Sequence, residues 1–240
     1  MSVKYPLERL HFKTYRLAPD APWIVFLHGA GGSIQTWCKQ IDTLSQHYNL
    51  LLIDLRDHGE SKNIVPGYDR YNFDIIIDDL YQVLLDLEIR KAHFVTLSFG
   101  SVLIQALYQR HPLLIDRMVL IGGVFNANWG IKGFVHLARF FNLFLSFRQM
   151  YRIFSYLLMP RKNHQVARRV YQMQAQKLTQ NEYVKWLGLY SEFFLLLRSF
   201  NQQTIQNPLL ILMGTEDYLF LPSARKFSEN RNNAQLELID

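Results

Sequence analysis

Short runs of branched apolar residues alternate with stretches in which apolar residues recur every three or four positions. WIVFLHG (23–29), YNLLLIDLR (48–56), KAHFVTL (91–97) and RMVLIGGV (117–124) have the length and composition of buried strands. Between the first two, TWCKQIDTLSQH spaces its apolar residues as a helix does. Ile76, Leu80, Val83, Leu84 and Leu87 then fall on one helical face. A further helix is predicted from Phe99 to His111-Pro112, where the proline disfavours continuation. Strands separated by helices, each strand apolar throughout, predict an α/β fold: a mostly parallel central sheet with helices on both faces.

After Val124 the alternation stops. Residues 125–207 are helical in pattern and rich in aromatics, and PLLILMG (208–214) then resumes the strand pattern. FLPSARKFSEN supplies a helix and AQLELID (234–240) one more strand. The expected organisation is therefore a core of residues 1–124 and 208–240, interrupted by a helical cap at 125–207. A chain of 240 residues is long enough for such a core with one insertion.

Charge sharpens that division. The chain carries a net +6, but residues 125–207 hold 11 Lys and Arg against only Glu182 and Glu192, so this part is +9 and the rest −3. One reading is a cap that packs an aromatic face on the core and turns Arg and Lys to water. The other adds an apolar pocket whose basic rim attracts an anionic substrate or a membrane surface. No nucleic-acid-binding motif accompanies these cations. The apolar stretch Phe134–Met159 is interrupted by Arg139, Asn142, Arg148 and Arg152. Each central charge costs roughly 2.5–3.5 kcal/mol in a bilayer, so it is not read as a membrane span. A single cysteine, Cys38, excludes an internal disulfide framework and a multi-cysteine metal site. MSVKYPLERLHF lacks an apolar signal region, and a reducing, cytoplasmic setting is expected.

Ligands of parallel sheets bind beyond the carboxyl ends of the strands. Those ends here carry HGAGGS (28–33), DLRDHGES (54–61), TLSFGS (96–101) and GTED (214–217). Ser98, two residues before Gly100, fits a nucleophile raised on a tight strand-to-helix turn, and it also fits an ordinary helix cap. HGAGGS lets backbone amides approach a ligand, with Ala30 and Phe99 N–H as candidate oxyanion donors. It lacks the full G-x-G-x-x-G spacing of a dinucleotide loop, and no Gly-Lys-Ser/Thr follows. Asp217 suits the acid that orients an imidazolium, with Glu216 as the alternative carboxylate, or else Asp217 caps the helix starting near Leu221.

In this order the four motifs resemble the α/β-hydrolase superfamily, in particular its esterase-like branch with a helical cap, over nearly the whole chain from Trp23. The resemblance implies Ser98 as nucleophile, the Ala30 and Phe99 amides as oxyanion hole, and Asp217 as acid, with no cofactor. The implied substrate is a small, largely apolar carboxylic ester or thioester, cleaved through an acyl-enzyme. Relatives that open epoxides or remove halides carry aspartate at the elbow, which Ser98 disfavours. Two positions depart from the pattern: Thr96 and Asp57 stand where glycine is usual. His58 is read as a turn or surface residue. In this superfamily the triad histidine follows the acid in the chain, yet His11, His28, His47, His58, His93, His111, His136 and His164 all precede Asp217. The expectation is that residues 1–240 stop before that histidine. A non-catalytic binding protein on the same scaffold is the competing class.

Overall fold

Each apolar run read as a strand joins one seven-stranded sheet. The computed structural model describes residues 9–65, 67–126, 133, 136–137, 140–141, 144–175 and 177–240. The strands are β1 (Phe12–Tyr15), β2 (Trp23–Leu27), β3 (Asn49–Ile53), β4 (Ala92–Leu97), β5 (Ile115–Ile121), β6 (Leu209–Gly214) and β7 (Ala234–Ile239). They lie side by side as β1-β3-β2-β4-β5-β6-β7. Only β1 runs antiparallel to its neighbour, with Phe12 opposite Ile53; all other pairs are parallel. β1 is the strand the apolar pattern does not reveal, because FKTY is four residues long and half polar.

The helices described are α1 (Cys38–Leu44), α2 (Phe73–Asp86), α3 (Gly100–Arg110), α4 (Phe147–Leu158), α5 (Gln165–Ala175), α6 (Gln180–Leu187), α7 (Tyr190–Gln202) and α8 (Leu221–Glu229). Side chains alternate across a strand, so β2 feeds both faces of the sheet. Val25 and Leu27 enter the larger core with residues of α2, α3, α7 and α8. Ile24 and Phe26 join Trp37, Ile34 and the half-buried Ile41 and Leu44 on the other face. Helices α4 to α7 all lie between β5 and β6 in the chain. No helix among the described residues is long and apolar enough to cross a membrane. β7 closes the sheet as an edge strand, with Leu238 41% and Ile239 52% exposed.

Local chemistry sets the helix starts. Asn72 caps α2 by accepting from the Ile75 N–H at 2.9 Å. Ser146 with Gln149, and Thr179 with Glu182, form reciprocal capping boxes at α4 and α6. Pro112 follows the end of α3, as its missing N–H requires.

Candidate active site

Strand order reverses at β2, which has β3 on one side and β4 on the other. The crevice beyond such a pair is where ligands of parallel sheets bind, and the turns after β2 and β4 meet there. A Cβ placed on Gly29 would lie 3.1 Å from the Leu97 carbonyl oxygen and 3.3 Å from Ser98 Cβ. One placed on Gly100 would lie 2.6 Å from the Leu27 oxygen and 2.9 Å from that of His28. Glycine at 100 is what lets α3 begin against the end of β2.

Ser98 has φ = +50°, a left-handed conformation that costs a non-glycine residue on the order of 1–3 kcal/mol. Its N–H still donates to Ile121 O on β5 at 2.8 Å, so the ladder carries through to the turn. The N-cap of α3 is Phe99 and not Ser98, and no side chain caps this helix. The hydroxyl of Ser98 has no hydrogen-bond partner among the described residues, and the residue is exposed. The geometry is that of a raised side chain rather than of a helix cap. Thr96 is accommodated two residues before it: fully buried, its hydroxyl donates to Val119 O at 3.4 Å across the sheet. Neither the Ala30 nor the Phe99 amide donates to a partner among the described residues.

Two buried histidines fix the turn that carries Ala30. His28 Nδ1–H donates to Gly29 O at 2.7 Å, and its Nε2 accepts from the Leu55 N–H at 3.1 Å. Reciprocally, His58 Nδ1–H donates to Arg56 O at 2.8 Å while its Nε2 accepts from the Gly31 N–H at 2.9 Å. An amide can only donate and a carbonyl only accept, so both rings are neutral with the proton on Nδ1. Burial pushes His28 down to about 4. Burial, with the neighbouring His28, pushes His58 down to about 3. His58 is thus no surface residue: it is 2% exposed, and both ring nitrogens are spent on backbone partners.

The DLRDHGES turn has its own frame. Asp54 accepts from the Ile34 and Glu60 amides at 2.8 and 3.1 Å. Gly59, at φ = +50°, lies so near this carboxylate that a Cβ would come within 2.3 Å of it. Asp57 takes the glycine-like φ of +64° and accepts from Tyr71 Oη at 2.6 Å. Arg56, almost wholly buried, holds Asp79 of α2 through two bonds of 2.6 Å.

Asp217 stands at the end of β6, two strands from Ser98. Its Oδ1 accepts from the Phe220 and Leu219 amides at 2.8 and 3.2 Å, so it does cap the entry to α8. Burial raises its pKa against those bonds. Glu216, beside it, is engaged elsewhere: Asn163, Arg161 and His164 surround its carboxylate, His164 Nε2 at 2.5 Å. The Asn163 amide, followed by His164 and Arg161, holds Glu216 below the usual carboxylate range.

The inserted helices meet the crevice through aromatics. Trp186 of α6 stands edge-on to Phe99 at 5.8 Å and to His58 at 4.8 Å, and its Nε1–H donates to Arg56 O at 3.1 Å. Phe193 of α7 stacks on Phe99 at 6.4 Å, and Phe73 of α2 also stacks on Phe99, at 6.2 Å. Both acids of this segment reach the core. Glu182 accepts from Lys62 Nζ at 2.8 Å with each oxygen, and Glu192 accepts from the Phe73 N–H at 3.1 Å. Sequence reasoning missed these contacts, whose hydrogen bonds span 119 to 130 residues.

No histidine is hydrogen-bonded to Ser98 among the described residues. His11 bonds Asp54 at 2.8 Å, His93 pairs with Asp116 at 3.1 Å, and His111 stacks on Tyr81 at 3.8 Å. His47 and His136 are exposed.

Comparison with known proteins agrees with this architecture. The family model described as alpha/beta hydrolase fold matches residues 22–240. A putative carbamate hydrolase RutD from Agrobacterium fabrum is 33% identical over 113 residues, covering 47% of this chain and 42% of the relative. The aligned part is thus less than half of that protein. Among solved structures, a hydrolase from Oleispira antarctica superposes with a TM-score of 0.78 at 17% identity, over 97% of this chain and 86% of the other. The enol-lactonase from Burkholderia xenovorans LB400 gives a TM-score of 0.74 at 21% identity, over 96% and 88% of the two chains.

Proposed function

Because the chain belongs to the alpha/beta hydrolase fold family, we propose that it is a serine hydrolase acting on a small, largely apolar carboxylic ester or thioester. The observation that carries this reading is Ser98 itself, held at φ = +50° at the strand-order reversal with its hydroxyl uncommitted. In the proposed reaction Ser98 Oγ passes its proton to the triad histidine and attacks the carbonyl carbon, and the Ala30 and Phe99 amides receive the oxyanion. Its collapse breaks the ester or thioester bond, the alcohol or thiol leaves with that proton, and water then releases the acid from the acyl-enzyme. Asp217, two strand spacings or about 10 Å away along the sheet, is the acid assigned to orient that histidine, which the family's chain order places after it. The aromatic wall of Phe99, Trp186 and Phe193 gives the acyl group an apolar surface. The relatives named as carbamate hydrolase and enol-lactonase act, by those names, on carbonyl compounds of the same broad kind.

The domain division goes with the proposal: residues 125–207 as a cap over a core of 1–124 and 208–240. A reducing, cytoplasmic setting suits the exposed, free Cys38. No histidine of residues 1–240 is assigned as the base, so this polypeptide should hydrolyse p-nitrophenyl esters barely above background. The competing reading is a binding protein that keeps the scaffold without turnover. A fluorophosphonate probe separates them when applied to a form of the protein that carries a histidine after Asp217. A covalent adduct mapped to Ser98, absent from Ser98→Ala, supports the hydrolase, and no adduct on Ser98 leaves the binding protein.

A further inference from the structure

The cap spends its acids inward and keeps its cations outside. Residues 144–175 contain six Lys and Arg and no Asp or Glu. Arg161 pairs with Glu216, and Arg168 binds backbone carbonyls of Met159 and Arg161. Arg148, Arg152, Lys162 and Arg169 are exposed and have no acidic partner among the described residues.

Apolar side chains stand exposed among these charges. On α5, Tyr171 stacks on Tyr151 at 5.0 Å and Gln172 bonds Ser155 at 2.5 Å, so that face packs on α4. The opposite face presents Val166, Val170 and Met173, which are 75%, 52% and 57% exposed, one helical turn apart with Arg169 among them. Just before α4, Phe140 and Phe144 are 57% and 73% exposed, with ring centroids 5.6 Å apart. Basic side chains set around exposed valine, methionine and phenylalanine combine two affinities in one surface.

We propose that this surface of the cap docks on an anionic lipid bilayer. The α5 row enters the headgroup boundary, and the unpaired arginines and lysine reach lipid phosphates while their methylene stems stay apolar. A nucleic-acid backbone would satisfy the cations and leave the valines and Met173 in water. A second copy of the same face would set cation against cation. An uncharged bilayer would use the apolar row alone. Docking does not depend on Ser98 being a nucleophile, so it stands or falls separately from the proposed chemistry.

Co-sedimentation of the intact chain with vesicles tests it, comparing phosphatidylcholine alone with a phosphatidylcholine and phosphatidylglycerol mixture. Binding is expected to the anionic vesicles only, falling as salt is raised. Arg169→Glu should weaken it by roughly tenfold or more, and Val170→Asp should weaken it with an unchanged melting temperature. Absent binding, or equal binding to both vesicle types, overturns the proposal. So does anionic binding that Val170→Asp leaves intact and that duplex DNA displaces, which marks a general polyanion site. Dimers in sedimentation velocity that Val170→Asp dissolves would mark the face as a contact between copies, and would equally overturn it.

Discussion

Gly31 and His58 are 27 residues apart in the chain, and the Gly31 N–H donates to His58 Nε2 at 2.9 Å. With His28 accepting from Leu55 in the reverse direction, the two turns can keep these positions only while both imidazoles are neutral. Protonating either Nε2 would place one donor against another.

Acid should therefore loosen the site at a pH where exposed histidines are merely titrating. The folded values, about 4 and about 3, lie below the ordinary 6.5, so the unfolded chain binds more protons between them. The stabilisation is present in full above about pH 6.5 and is lost as pH falls toward the folded values, at up to about 1.4 kcal/mol per pH unit for each ring. Asp217 and Asp79 are shifted upward, and their contribution has the opposite sign. Urea midpoints measured across this range should fall with acid, and should fall less steeply in His58→Gln.

Relieving the backbone of the elbow should stabilise the protein. Ser98→Gly removes the penalty of φ = +50° and should raise unfolding stability by up to about 1 kcal/mol, net of the entropy glycine loses. Ser98→Ala keeps the strained φ and should stay within about 0.5 kcal/mol of the parent. Urea titration of the three proteins checks the order, and a destabilised Ser98→Gly would mean that the turn is not strained.

Gly100→Ala should be among the most damaging single-methyl additions, since its Cβ would sit 2.6 Å from a backbone oxygen of β2. A loss of about 1–3 kcal/mol is expected from overpacking, read as a lowered urea midpoint. Gly67→Ala, with nothing within 4 Å of the added methyl, is the control and should melt near the parent temperature.

The Lys62–Glu182 contact should act locally. Glu182→Gln retains an acceptor for the Thr179 capping box but removes the ion pair with Lys62. Global stability should change by about 1 kcal/mol or less, because the pair is partly exposed. Amide exchange across α6 should nevertheless speed up, as the segment opens without the core. Exchange that rises equally in β2 and β4 would contradict a local clamp.

Much of this architecture is legible in the sequence because it depends on neighbours in the chain. Val25, Leu51, Phe94 and Ile211 sit in runs that only a doubly covered strand can bury, and Ser98 is set off by Gly100 two residues on. The rest depends on residues brought together from far apart. His58 looks like a turn residue until β2 and β3 lie side by side and Gly31 is found against its ring. Glu216 and Asp217 are adjacent and alike on paper, and the partition between them comes from Arg161, Asn163 and His164, more than 50 residues upstream. The role of Trp186 was hidden for the same reason, since nothing near it in the chain indicates Arg56 or Phe99.

That indole has a practical consequence. Trp186 is anchored by one hydrogen bond to the DLRDHGES turn and lies edge-on to the ring beside Ser98. Indole emission moves to longer wavelength when the ring passes from an apolar enclosure into water. With Trp23, Trp37 and Trp129 replaced by phenylalanine, Trp186 becomes a single intrinsic fluorophore at the seam between α6 and the crevice, so opening of that seam can be followed in real time without attaching a label.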